Sequence, residues 1–304
     1  MAGFLFDAHV HFFSHRFYGL LAGQQGGGAT AASVCAQLGW PAPPEDPAAL
    51  AAQWAAELDR HGVTGAALIA SLPGDEDSVA AAIQAFPARF AGFFFLNPLA
   101  ADAAGRARRA FAAGLRGVCL FPAMHGFSIA GAEARAVIEA AAAQPGAVVF
   151  VHCGVLSVGV RRRLGLPSPF DLRYSNPVGL HPVALRFPGL PFIVPHFGAG
   201  YFREALMTAS LCPNVYFDTS SSNNWTRLLT PPPTLEDVFA RALDVLGPGR
   251  LLFGTDSSFF PRGWVAEVYQ RQREALARLN VPEADQQAIF GGNLAKLLGF
   301  ALPA

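Results

Sequence analysis

The order in which apolar and amphipathic stretches follow one another constrains this chain more than any other feature. Eight short apolar runs recur along its length: Phe4–His9, Gly65–Ser71, Ala91–Asn97, Gly117–Phe121, Ala147–His152, Phe192–His196, Val215–Thr219 and Leu251–Asp256. They are rich in Val, Phe, Leu and Ile and show no clear alternation with polar residues. That is the pattern of strands buried on both faces of a parallel sheet. Between them lie segments with helical periodicity: Pro47–Arg60, Asp75–Phe86, Ala101–Ala113, Gly131–Ala143, Pro177–Phe187, Tyr201–Leu211, Leu235–Leu246 and Val265–Leu279. A further helix is expected near Ala284–Leu298. Eight strand–helix units predict an α/β chain folded as a (β/α)8 TIM-like barrel, which typically takes ~250 residues. Residues 1–304 then form a single barrel domain. The rival is a doubly wound open sheet. It rarely uses so many evenly spaced units, and no GxGxxG follows the first strand.

Three connections are longer than their task requires: Phe12–Glu45, Cys153–Asn176 and Ser220–Thr234. All follow strands, so they belong to the C-terminal rim, where barrel active sites sit. At least one is expected to wall or cover a substrate.

Composition narrows the function. Charged residues are only 14% of the chain, hydrophobic residues 52%, and the net charge is zero. A disordered chain is excluded, and neither nucleic acid nor an anionic membrane has an electrostatic footprint here. The apolar runs fall well short of the ~20 residues that cross a bilayer, and the N-terminus lacks the pattern of a signal peptide. Cys35, Cys119, Cys153 and Cys212 are scattered without a CxxC pair. This argues against a disulfide framework or a zinc ribbon and for a reducing cytoplasm.

The chemistry gathers at strand ends. The first strand closes with Asp7-Ala8-His9-Val10-His11, and residues two apart on a strand share a face. His9 and His11 can therefore aim two imidazoles at one point. The fifth strand ends in His152, the sixth in His196 and the eighth in Asp256. Each closes an apolar run where an unpaired polar group would be costly. Barrel closure places the first and last strands side by side, so these imidazoles and the carboxylate can converge.

These segments resemble the amidohydrolase-related group, the amidohydrolase 2 branch of the metal-dependent hydrolase superfamily. That group includes aminocarboxymuconate-semialdehyde decarboxylase and the resorcylate-type decarboxylases. The resemblance is carried by Asp7–His11, Val151–Gly154, Pro195–Gly200, Leu252–Asp256 and Gly291–Leu298, in the family's order and over nearly the whole chain. It implies one divalent metal ion held by His9, His11, His152 and Asp256, with His196 beside the reacting water or the substrate. Binuclear members of the superfamily bridge two metals through a lysine carbamate on the fourth strand. Here that strand reads Gly117-Val118-Cys119-Leu120-Phe121, and the one lysine, Lys296, lies in the terminal helix. A single metal follows, unless Cys119 bridges as a thiolate. Zinc is the first choice, with Mn, Fe or Co as alternatives.

Asp256 and His196 are the expected catalytic pair, Asp256 taking a proton from water and His196 steering it or stabilising an oxyanion. Asp7 is the candidate for orienting a ligating histidine. Arg16, His125, Arg262 and Trp225 on the rim are candidate substrate contacts, an arginine clamping a carboxylate. Phe12, Phe13, Phe121, Phe197, Phe259 and Phe260 flank the strand ends and can line an apolar pocket. Two chemistries fit a small-molecule substrate. One is hydrolysis of a lactone, ester or amide of a small cyclic or carboxylated compound; the other is nonoxidative decarboxylation of an aromatic or muconate-type acid. A barrel with a relic metal site is the non-catalytic reading. Apolar helices on the barrel exterior are compatible with a homodimer.

Overall fold

The computed structural model describes residues 4–220 and 224–301. Eight parallel strands form one sheet in chain order: β1 (Phe6–Phe12), β2 (Gly65–Ala70), β3 (Phe90–Leu96), β4 (Gly117–Leu120), β5 (Val148–Val151), β6 (Phe192–Val194), β7 (Val215–Asp218) and β8 (Leu251–Leu252). The sheet curls into a nearly closed (β/α)8 barrel, as the apolar runs predict. β8 is shorter than expected, yet its continuation still lies along β1. Ala8 N–H donates to Phe253 O at 2.7 Å, Asp256 N–H to His9 O at 3.0 Å, and His11 N–H to Ser257 O at 2.7 Å. This seam puts the last strand's carboxylate beside the first strand's imidazoles.

The helices are α1 (His15–Gln25), α2 (Ala31–Leu38), α3 (Pro47–Arg60), α4 (Glu76–Ala85), α5 (Ala103–Ala112), α6 (Pro122–His125) and α7 (Ala132–Ala142). After β5 come α8 (Gly159–Arg163), α9 (His181–Arg186), α10 (Phe202–Leu211), α11 (Leu235–Leu246), α12 (Ala266–Arg278), α13 (Glu283–Gln287) and α14 (Asn293–Leu298). The expected Pro177–Phe187 helix is split into a 3-10 turn, Pro177–Leu180, and α9. The terminal helix is broken by a π-turn at Ala288–Gly292, where Gly291 lies against Phe4 and Phe6.

The segment expected as the Phe12–Glu45 loop contains two helices. Ser14 caps α1 by accepting from Phe17 N–H, and Thr30 caps α2 in a reciprocal box with Ser33. Their apolar faces (Phe17, Tyr18, Leu21, Val34, Leu38) pack on Val160 and Leu164 of the β5 loop. This small cluster, separate from the main core, roofs the barrel mouth. No helix among the described residues is long and apolar enough to cross a membrane.

Candidate metal centre

His9 and His11 project from the end of β1 with ring centroids 4.9 Å apart. Each is held from behind at Nδ1. His9 Nδ1–H donates to Asp218 Oδ2 at 2.6 Å, a carboxylate at the end of β7 with no solvent exposure. His11 Nδ1 lies 2.7 Å from Ser71 Oγ, whose own proton goes to Ile69 O. Both imidazoles are thereby fixed as Nδ1–H tautomers, and their Nε2 lone pairs face each other across 3.2 Å. Asp256 Oδ1 closes the triangle at 3.5 Å from His9 Nε2 and 3.1 Å from His11 Nε2. With both Nε2 atoms unprotonated, three lone pairs converge in a mostly buried place, and a cation relieves all three at once. Two imidazole nitrogens and a carboxylate oxygen suit a borderline divalent ion such as zinc, manganese, iron or cobalt. The donor atoms of His9, His11 and Asp256 all lie within 4.8 Å of one another.

The electrostatics agree. Burial raises the Asp256 carboxyl, but its contact with His11 and the charge of His9 outweigh this and hold it far below the usual carboxylate range. Burial disfavours the His9 imidazolium, yet Asp218, then Asp256 and Asp7, raise its pKa to about 9. A proton on His9 meets the charge balance that a metal ion would otherwise meet. Burial lowers His11, His152 and His196, leaving those imidazoles neutral.

All five expected side chains line one cavity of about 370 Å³. His152 stacks on Phe121 at 5.0 Å and lies 5.5 Å, ring to ring, from His196. It stands outside the tight triad, although its buried Nε2 has no hydrogen-bond partner among the described residues. His196 Nδ1–H donates to Ser220 O at 3.0 Å, and Ser220 Oγ lies 2.9 Å away. Both His196 (φ 55°) and Asp256 (φ 59°) sit in the left-handed region. Non-glycine residues reach it at a cost, and such strain concentrates at functional sites. Gly254 explains how the support behind His9 fits. A Cβ there would lie 2.6 Å from Asp218 Oδ1 and 3.0 Å from the His9 Cβ.

Several expectations need correction. Asp7 does not orient a ligating imidazole. It accepts from the backbone N–H groups of His9 and Thr255, from the Thr255 hydroxyl and from Trp264 Nε1, pinning the β1–β8 seam. Cys119 is wholly buried in the barrel interior among Phe95, Phe121 and Phe150, where burial pushes its thiol up, and it does not line the cavity that holds His9, His11 and Asp256. Of the four rim residues, only Arg262 lines the cavity. Arg16 occupies the exposed face of α1 and donates to Gly74 O, because the helix turns Phe17 and Tyr18 inward. His125 lies behind the cavity wall, its ring 5.5 Å from Phe95, and burial lowers its pKa to about 4. Trp225 is buried against Phe202 at 5.7 Å, where its large ring gains more than it would on the rim. Phe13, Phe121 and Phe259 do wall the cavity. Phe12 and Phe197 belong to the main core, and Phe260 lines a neighbouring cavity.

Asp218, Ser71 and Ser220 were not anticipated. Asp218 closes an apolar strand just as Asp256 does, and that position was its one readable signal.

The family model described as amidohydrolase matches residues 6–300. A stretch of 115 residues, 38% of this chain, is 30% identical to part of the fluG protein of Emericella nidulans and spans 13% of that protein. Among solved structures, the chain resembles a probable 2-pyrone-4,6-dicarboxylic acid hydrolase from Acinetobacter baumannii with citric acid bound. The identity is 15%, the TM-score 0.62, and the match covers 97% of this chain and 99% of that one. An amidohydrolase from Burkholderia multivorans with bound zinc matches at 18% identity and TM-score 0.60, over 98% and 100% of the two chains. These structural likenesses speak to the fold, and the family match extends to the sequence from the first strand to the last helix. The chain belongs to the amidohydrolase family and is an enzyme of the amidohydrolase superfamily.

Proposed function

We propose that the protein is a metal-dependent hydrolase that opens a lactone, ester or amide of a small carboxylated compound. The observation that carries this reading is the convergence of His9 Nε2, His11 Nε2 and Asp256 Oδ1, each lone pair aimed at one point. His152, whose buried Nε2 has no hydrogen-bond partner among the described residues, lines the same cavity and offers a fourth donor, the third nitrogen. Those residues would hold a divalent ion, zinc by preference, which when bound would lower the pKa of water from ~15.7 towards ~7 and polarise a carbonyl.

The remaining roles fall to this chain's own groups. Asp256, ionised and partly open to the cavity, accepts the proton of the attacking water and passes it to the leaving group. His196, neutral and fixed as the Nδ1–H tautomer, orients the reacting groups from the β6 side. Phe13, Phe121 and Phe259 wall the cavity against water. Arg262 lines the same cavity, and among the described residues no carboxylate pairs with it. It is placed to meet a substrate carboxylate by charge-assisted hydrogen bonds. The four cysteines are all free and buried, which suits a reducing compartment such as the cytoplasm.

The test is a screen of zinc-loaded protein against small lactones and carboxylated aromatics, with products identified by mass. Ring opening without loss of carbon is expected, and Asp256→Asn should lower it at least ~100-fold. Release of CO2 from a carboxylated substrate would instead establish a decarboxylase. Activity untouched by Asp256→Asn would remove the metal centre from the reaction.

A further inference from the structure

Beside the metal cavity lies a second one of about 440 Å³, and Phe13, Ser258 and Phe259 line both. The second cavity continues along Leu50, Trp54 and Phe260. Phe259, which both cavities share, belongs to a stacked column drawn from three rim segments. Trp40, which follows α2, lies on Phe259 with ring centroids 3.8 Å and planes 15° apart. The guanidinium carbon of Arg163 stands 5.1 Å from the Trp40 ring centre, and that of Arg262 stands 4.9 Å from the Phe259 ring centre. Since each ring gives one face to the other, the guanidiniums take the outer faces. Both arginines are tied down as well. Arg163 donates to Leu38 O, and Arg262 donates to Asp256 O at 3.0 Å and to Ser258 Oγ at 2.8 Å. Swinging Phe259 aside would break a ring stack and a cation–π contact together.

We propose that Phe259 is a specificity-determining residue. It sets the length of the apolar substituent that a substrate anchored at the metal centre can carry, and the second cavity is the room it withholds. The proposal rests on the metal-hydrolase reading. It assigns the enzyme compact substrates and excludes those with an extended alkyl or aryl tail beyond the Trp40–Phe259 column.

Straight-chain alkyl hydroxamic acids of increasing length test this, because the hydroxamate chelates zinc and the tail measures the space beyond it. Binding to zinc-loaded wild type, Phe259→Ala and Phe259→Leu would be followed by calorimetry. For wild type, affinity should rise about fourfold per methylene until the tail meets the column, then stop rising. For Phe259→Ala the rise should continue, so that a tail two carbons past the wild-type limit binds at least about tenfold tighter than to wild type. Phe259→Leu should fall between them, and it carries the test if the alanine variant does not fold. The same limit in all three proteins overturns the proposal. Absence of binding by even the shortest hydroxamate marks a different failure, that of the metal reading, and the proposal falls with it.

Discussion

The floor and the roof of the metal cavity are both made at the barrel's open end, yet they hold together by different means. The floor is the seam between β1 and the last strand. Backbone hydrogen bonds stitch it, Asp7 pins it from below, and Asp218 and Ser71 hold the two imidazoles in one tautomer. Its carboxylates Asp7 and Asp218 have no solvent exposure. The roof is a small apolar cluster of α1, α2 and α8, tied across by partly exposed groups: Gln25 Nε2 to Leu164 O at 3.2 Å and Arg161 Nη1 to Gln24 Oε1 at 2.6 Å. The contrast teaches a division of labour. The groups that must be placed to a fraction of an ångström sit on strands within the main core. The groups that shape access sit on a layer with a few contacts of its own, where change costs less.

The floor is best challenged at Asp218. Asp218→Asn turns the acceptor behind His9 Nδ1 into an uncharged amide that can present N–H, so the imidazole is no longer held as the ligating tautomer. Zinc affinity should fall about 10- to 100-fold, as losses behind metal-bound histidines usually do. Competition with a chelating dye measures this directly. An unchanged affinity would mean that His9 needs no carboxylate behind it, and the floor would be no more ordered than the roof.

A smaller effect probes where the roof is anchored. Ser14, the cap of α1, donates to the buried Asp75 carboxylate at 2.7 and 2.8 Å. Burial raises the Asp75 pKa to about 6, against the lowering pull of Ser78, Ser14 and Arg16. The unfolded chain releases this proton near pH 4, so between about 4 and 6 the folded state holds one proton more. Stability from Asp75 is therefore complete below this window and declines as pH rises through it. Burial likewise raises Asp7 to about 6, so the floor adds a slope of the same sign. Asp75→Asn should flatten part of the fall in melting temperature between pH 4 and 7, by roughly 2 kcal/mol in free energy. A variant whose melting curve still tracks wild type at every pH would show that Asp75 does not titrate there.

The two regions also differed in how far they could be read in advance. The strands were legible because each is an apolar run buried on both faces, and the triad because a titratable residue closing such a run has few other uses. What stayed hidden was the second carboxylate: Asp256 was the expected ligand, while Asp218 behind His9 was not anticipated. Asp218 and Asp256 both close strands, and only barrel closure at the β1–β8 seam separates their roles. The roof was hidden for another reason. α1 and α2 are short and flank a glycine-rich stretch, Gly26–Gly28, and their inner faces are completed by Val160 and Leu164 from a distant loop. The caps Ser14 and Thr30 were readable signals of helix starts within that stretch. Arg16 and Trp225 were misplaced because proximity to a strand end in sequence does not say which face of a helix, or which layer of the core, a side chain will join.

Zinc stoichiometry under defined buffering, compared between wild type and the combined His9→Ala, His11→Ala, Asp256→Asn variant, tests the centre itself. One zinc per wild-type chain is expected, with X-ray absorption showing at least two nitrogen ligands and one oxygen, and none in the folded variant. A full equivalent of tightly bound zinc in that variant would place the ion elsewhere and contradict the account.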